Sequence, residues 1–129
     1  MILGLPLAEA AEAHVFETNE DRGAPDLIDA ELLHVIRSHE RRELITLERS
    51  AAARQALLDL PITRYTTLTL IGRAWELRHN FTAYDAMYVA LAEALGAPLV
   101  TADERLATAA RTHTAIDVVL LADAPADKE

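Results

Sequence analysis

The sequence contains no cysteine, which excludes disulfides and thiolate metal sites. A chain without either fits a reducing compartment, and the cytoplasm is the expected one. Glycine is scarce, at 4 residues in 129. No GxxxxGK(S/T) run is present to cradle a phosphate, and the GLP and GAP tripeptides read as turns. No apolar run approaches the ~20 residues that a membrane-spanning helix needs. The apolar N-terminus, MILGLPLAEAAEAH, lacks the basic flank of a secretory signal. Basic residues are also in the minority. With 12 Lys and Arg against 21 Asp and Glu, the formal net charge is −9. Such a surface repels nucleic-acid phosphates unless bound cations or a local basic patch reverse the sign, and it suits a basic protein partner.

What is present describes an ordinary globular chain. The hydrophobic fraction is 51% and the charged fraction 26%, typical of one folded domain of this length. No repeat or internal linker divides it. Residues 1–122 are expected to form a single domain, and 123–129, DAPADKE, a short solvated tail. Helical spacing of apolar residues appears at 7–19, 27–42, 47–58, 68–80, 83–95 and 103–113. Short apolar runs at 62–67, 98–101 and 116–121 read as strands. Asp26, Thr46 and Thr82 stand where N-caps belong, and Gly96 with Pro98 ends one helix. GAP at 23–25 reads as a break. Alternating helices and short buried strands predict an α/β sandwich with a mostly parallel sheet.

Three carboxylates stand out against this background. At 100° per residue from Leu27, Glu31 falls at about 40°, beside Val35 at about 80° and Ile28 at about 100°, inside the apolar stripe. A buried carboxylate must be paired, hydrogen-bonded or bound to a cation. The plain alternative is a Glu at the edge of the stripe, reaching water or an Arg. Asp85 is one of only two charges between Ala83 and Leu95, on a helix apolar nearly all round. It also has capping-box spacing from Thr82 and a place in the helix's first turn. Asp103 follows PLVTA, just past the carboxyl end of a strand, where open α/β sheets bind ligands. It could equally cap the following helix. Clustered carboxylates raise one another's pKa unless a cation lies between them. Oxygen-only donors suit Mg²⁺ or Mn²⁺.

The segments APDLIDAELLHVIR, RAWELRHNFTAYDAMYVALAEALGAPLVTAD and DVVLL resemble PIN-domain proteins, specifically VapC-type toxins of toxin–antitoxin pairs. The resemblance covers nearly all of 24–121. It implies a PIN-like α/β/α sandwich, RNA cleavage dependent on Mg²⁺ or Mn²⁺, a cognate antitoxin that holds the toxin inactive, and a homodimer. It places the family's second, third and fourth acids at Glu31, Asp85 and Asp103, as metal ligands. It places the family's Ser or Thr at Thr101, as a supporting polar contact. The family opens with a strand ending in an Asp. Here that strand is missing or incomplete, no residue stands for the first acid, and a start assigned too late is the expected cause. MIL could supply a stub of that strand, limited by Gly4 and Pro6. Little ribonuclease activity is expected from a chain without the first acid. The alternative function is a catalytically impaired PIN-like module that binds antitoxin or dimerises.

The other polar residues have plainer readings. The five His show no ligand spacing with a carboxylate. His39, at about 120° on the Glu31 helix, is expected to be a core or interface histidine. Trp75, with Leu68, Ile71 and Leu77, reads as helix packing or a dimer surface. Arg41, Arg42, Arg49 and Arg54 read as a solvated face that could double as a basic patch for RNA. Ser38 and Ser50 lack the His–Asp context of a nucleophile.

Overall fold

A computed structural model describes residues 2–3 and 21–121. The expected helix at 7–19 and the tail at 123–129 lie outside the described residues. Five strands form one sheet: β1 (Ile2–Leu3), β2 (Gly23–Pro25), β3 (Thr63–Tyr65), β4 (Leu99–Thr101) and β5 (Val118–Leu120). Their order is β3-β2-β1-β4-β5, and every pairing is parallel. Five described helices accompany them: α1 (Ile28–Arg41), α2 (Leu47–Leu58), α3 (Ile71–Glu76), α4 (Ala83–Leu95) and α5 (Glu104–His113). The α/β architecture with a parallel sheet is the one the sequence led us to expect. Among the described residues, no helix is long and apolar enough to cross a membrane.

β1 lies at the centre. Ile2 is in register with Gly23 on one side and Leu99 on the other, and Leu3 pairs with Val100. Ile2 and Leu3 of the MIL stub therefore do act as a strand. Strand order reverses at this point, because β2 and β3 extend to one side and β4 and β5 to the other. A crevice at the carboxyl ends of the strands is the expected ligand position in such a sheet.

GAP at 23–25 is a buried strand, not a break. Glycine and proline disfavour strands, but pairing on both sides overrides that preference here. Gly23, Ala24 and Pro25 pair with Thr63, Arg64 and Tyr65. Pro25, which has no N–H to give, occupies the last rung. Asp26 does not cap α1. Its own N–H donates to Tyr65 O at 2.7 Å, extending the ladder, and Leu27 holds the N-cap position without a side-chain bond. The 68–80 helix is also interrupted. A 3-10 turn spans Leu68–Leu70, α3 follows, and 77–80 turn away. Leu77 N–H is shared between the carbonyls of Arg73 and Ala74, and Arg78 Nη1 donates to Trp75 O at 2.9 Å.

The core forms where α4 crosses the sheet, packing on β2, β1 and β4. Ala86, Val89, Ala90, Leu91 and Ala92 are buried, with Ile28, Leu99 and Val100 opposite. A fully buried Val, Leu or Ile side chain contributes about 1.5–3 kcal/mol. The ends of α4 are fixed by its sequence. Thr82 Oγ1 accepts the Asp85 N–H at 3.1 Å, and Gly96 closes the helix at φ 61°, a left-handed conformation that glycine adopts without a Cβ penalty. A fork from Arg64 ties β3 to α1. Its Nε and Nη2 donate to the Asp29 carboxylate at 2.9–3.1 Å.

Candidate metal-binding acidic site

Glu31, Asp85 and Asp103 all lie just beyond the carboxyl ends of strands or at the start of a helix. Glu31 is in the first turn of α1, directly after β2. Asp85 is in the first turn of α4. Asp103 follows β4 and caps α5. β2 and β4 flank β1, so Glu31 and Asp103 come from opposite sides of the point where strand order reverses.

The three are electrostatic neighbours. Burial pushes the Glu31 carboxyl above the usual carboxylate range; a hydrogen bond from Tyr88 counteracts this, and the charge of Asp85 adds to it. Burial likewise raises Asp85, and the charge of Asp103 raises it further, against the Thr82 hydrogen bond and the charge of Arg105. Asp85 is thus the shared neighbour in a row that runs Glu31, Asp85, Asp103. None of the three joins a salt bridge among the described residues, where the ion pairs are Arg64–Asp29, Arg73–Glu76 and Arg73–Glu93.

Two of the acids, Glu31 and Asp103, also have a protein partner that sets their direction. Tyr88 Oη donates to Glu31 Oε1 at 2.6 Å. Asp103 Oδ1 accepts the N–H groups of Arg105 and Leu106 at 2.9 and 3.3 Å, so it is the N-cap of α5. Thr101 is fully buried, and its Oγ1 accepts the Asp103 N–H at 3.0 Å. The hydroxyl acts on the backbone of Asp103, not on Glu104, the residue at capping-box spacing.

These commitments shape the metal question. Among the described residues, no group of three or more His, Cys, Asp or Glu side chains is placed to hold a metal ion. The ligand set expected at Glu31, Asp85 and Asp103 is a row of adjacent acids, with Glu31 held by Tyr88 and Asp103 by the helix it caps, not a closed cage. The donor chemistry nonetheless fits a hard divalent ion. All donors are carboxylate oxygens and like charges crowd one another; among the described residues no Lys or Arg forms an ion pair with them, Arg105 reaching Asp85 only through its charge. Mg²⁺ keeps several waters and needs only one or two carboxylates, so a row can serve where a cage is absent.

Other candidates fall away from the site. His39 is exposed, which corrects the core reading; the apolar arc of α1 narrows toward its end, where Ser38 and Glu40 are only partly covered. Trp75 is 65% exposed, with Arg78 stacked 4.3 Å from its ring centre, so it does not pack in the core. Arg41, Arg42, Arg49 and Arg54 are exposed along α1 and α2.

Tyr88 is the residue of this site that the sequence did not single out. Helical periodicity flags a charge on an apolar face, and a tyrosine there passes as core. The available signal was its position three residues after Asp85, on the same helix face.

Comparison with known proteins places this geometry in context. The family model described as PIN domain matches residues 2–112. Over 87 residues the chain is 49% identical to Ribonuclease VapC1 of Mycobacterium tuberculosis, covering 67% of this chain and 65% of that protein. Over 95 residues it is 42% identical to VapC ribonuclease Mb0985 of Mycobacterium bovis, covering 74% and 75%. Over 96 residues it is 38% identical to Ribonuclease VapC12 of Mycobacterium tuberculosis, covering 74% of each. The chain therefore spans between about two thirds and three quarters of the length of these relatives.

Proposed function

Because the chain belongs to the PIN domain family, we propose that it is a divalent-metal-dependent endoribonuclease toxin of the VapC type, cleaving RNA phosphodiester bonds. The observation that carries this reading is the row of three carboxylates at one sheet edge, with Asp85 raising the proton affinity of Glu31 and itself raised by Asp103. Glu31, Asp85 and Asp103 hold the ion, which is Mg²⁺ or Mn²⁺. Once bound, such an ion supplies charge to the scissile phosphate and lowers the pKa of water. Thr101 is a positioning residue, because it fixes the backbone from which Asp103 projects. The cation also offsets the −9 charge at the one place where RNA phosphate must approach.

RNA as substrate puts the protein in the cytoplasm. Its partners are a cognate antitoxin and a second copy of the chain. Leu33, Leu44 and Leu47 are exposed on and between α1 and α2 and offer the antitoxin an apolar face. Leu68, Ile71 and Trp75 are exposed on the 3-10 turn and α3 and offer one to the second copy. Residues 1–122 act as a single domain in this reading.

The test uses a fluorescent RNA reporter with the 129-residue chain. Cleavage, however slow, is expected with Mg²⁺ or Mn²⁺, is lost in EDTA, and falls to background in Asp85→Asn. Expression in a bacterial host is expected to arrest growth, and Asp85→Asn to relieve the arrest. Cleavage that survives Asp85→Asn refutes the assignment. A second reading, a non-catalytic antitoxin-binding module, is favoured by the finding that, among the described residues, no three His, Cys, Asp or Glu side chains are placed to hold a metal ion. Tight antitoxin binding without growth arrest selects it.

A further inference from the structure

A buried tyrosine reaches one acid of the row. Tyr88 is 1% exposed, and its hydroxyl gives its only hydrogen to Glu31 Oε1 at 2.6 Å. That length belongs to charge-assisted O–H···O⁻ bonds. A buried phenol needs a partner, but a backbone carbonyl would satisfy it. Here the partner is instead a partly buried carboxylate 57 residues away in sequence, on the helix that follows β2. Tyr88 and Asp85 are three residues apart on α4, so one rigid helix carries both an acid of the row and the group that orients the next acid. Among the described residues, no hydrogen bond reaches Glu31 Oε2.

We propose that Tyr88 is the positioning residue for Glu31: its hydroxyl fixes one carboxylate oxygen and leaves Oε2 as the oxygen available to a divalent cation. The inference rests on the metal-binding reading of the acid row. A glutamate has three rotatable side-chain bonds, and an orienting hydrogen bond removes the freedom it would otherwise lose when the ion arrives. Outer partners of this kind typically govern metal affinity or activity by about 10–100-fold.

The experiment measures Mn²⁺ affinity of the full chain, by the EPR signal of free Mn²⁺, in wild type, Tyr88→Phe, Glu31→Ala, the double variant and Asp85→Asn. Circular dichroism melts accompany each. Tyr88→Phe is expected to weaken binding about tenfold or more and to add nothing in the Glu31→Ala background, because the hydroxyl acts only through Glu31. Wild-type affinity in Tyr88→Phe, with binding lost in Asp85→Asn, overturns the role of Tyr88 and leaves the metal reading standing. An undiminished Tyr88→Phe effect in the Glu31→Ala background also overturns it, since the effect then comes from packing. If wild type binds no Mn²⁺, the acid-row reading fails and the proposal falls with it. Should Tyr88→Phe fail to fold, tyrosine labelled with ¹³C at Cζ tests the unaltered chain. Mg²⁺ is expected to shift the Tyr88 resonance, assigned with Tyr65→Phe and Tyr84→Phe, and a resonance unmoved at saturation refutes the proposal.

Discussion

Replacing Thr101 with valine isolates one hydrogen bond that connects sheet stability to the acid row. Thr101 is fully buried on β4, paired with Leu120 of β5. Its Oγ1 is the acceptor for the Asp103 N–H at 3.0 Å. Valine keeps the shape and the branch at Cβ, but it strands that N–H in a partly buried position. The loss is about 1–3 kcal/mol for an unsatisfied donor. Exchanging the hydroxyl for a methyl returns about 0.8 kcal/mol of apolar burial. The net cost is then about 0.2–2 kcal/mol, which for a domain of this size lowers Tm by up to roughly 8 °C. Urea unfolding gives the free energy, and hydrogen exchange at the Asp103 amide gives the local effect. Thr101→Ser is the control. It loses about 1 kcal/mol through the missing methyl but keeps the acceptor, so slow exchange at Asp103 is retained. Wild-type stability together with unchanged Asp103 exchange in Thr101→Val would show that the hydroxyl does not hold the loop, and the positioning role would be wrong.

Two further outcomes follow from the electrostatics. Glu31 and Asp85 bind protons more tightly in the folded state than in the unfolded state. Their contribution to stability is therefore fully present below the ordinary carboxylate range and lost as pH rises through their raised values. In EDTA, Asp85→Asn is expected to be more stable than wild type at pH 7, with the difference closing toward about pH 4, and excess Mg²⁺ is expected to reverse the order; calorimetry that finds Asp85→Asn less stable in EDTA at pH 7 contradicts this. Arg64→Ala removes the fork to Asp29 and weak contacts to the carbonyls of Leu57, Leu60 and Ile62. Because both side chains are partly solvated, the ion pair contributes only about 0.2–1 kcal/mol, and the difference from wild type should shrink in urea titrations at about 1 M NaCl, where the Debye length is about 3 Å.

The parts of the fold that were legible in the sequence are those fixed by local chemistry. α2 begins at Leu47 behind a Thr46 cap that accepts the Arg49 N–H at 3.1 Å, as the spacing implied. α4 runs from its Thr82 cap to Gly96 without departure. Of the site, Glu31 and Asp85 were visible because a charge on an apolar face is a costly placement that needs a reason, and Asp103 because it stands just past the carboxyl end of a strand. What stayed hidden depends on partners distant in sequence. Gly23–Pro25 forms a strand only because β1 and β3 close on it. Asp26 gives up a cap role for a ladder bond that its own N–H donates to the Tyr65 carbonyl. The bond between Tyr88 and Glu31 joins two helices whose angular relation no single-helix projection contains. Of the two readings of Asp103, the cap is the one the structure displays, through Oδ1, and the charge of Asp103 still reaches Asp85.

The central place of β1 in the sheet has a bearing on cooperativity. Among the described residues, Ile2 and Leu3 supply the rungs between the β3–β2 half of the sheet and the β4–β5 half. α4, which lies across β2, β1 and β4, therefore serves as the splint along that seam. Its interior amides should exchange with solvent only when the whole domain opens, while the outer strands can loosen independently. A cavity made in α4, at Val89 for example, would thus do more than remove packing energy: it would uncouple the halves, broaden the unfolding transition and spread the Glu31 and Asp103 sides of the cleft apart.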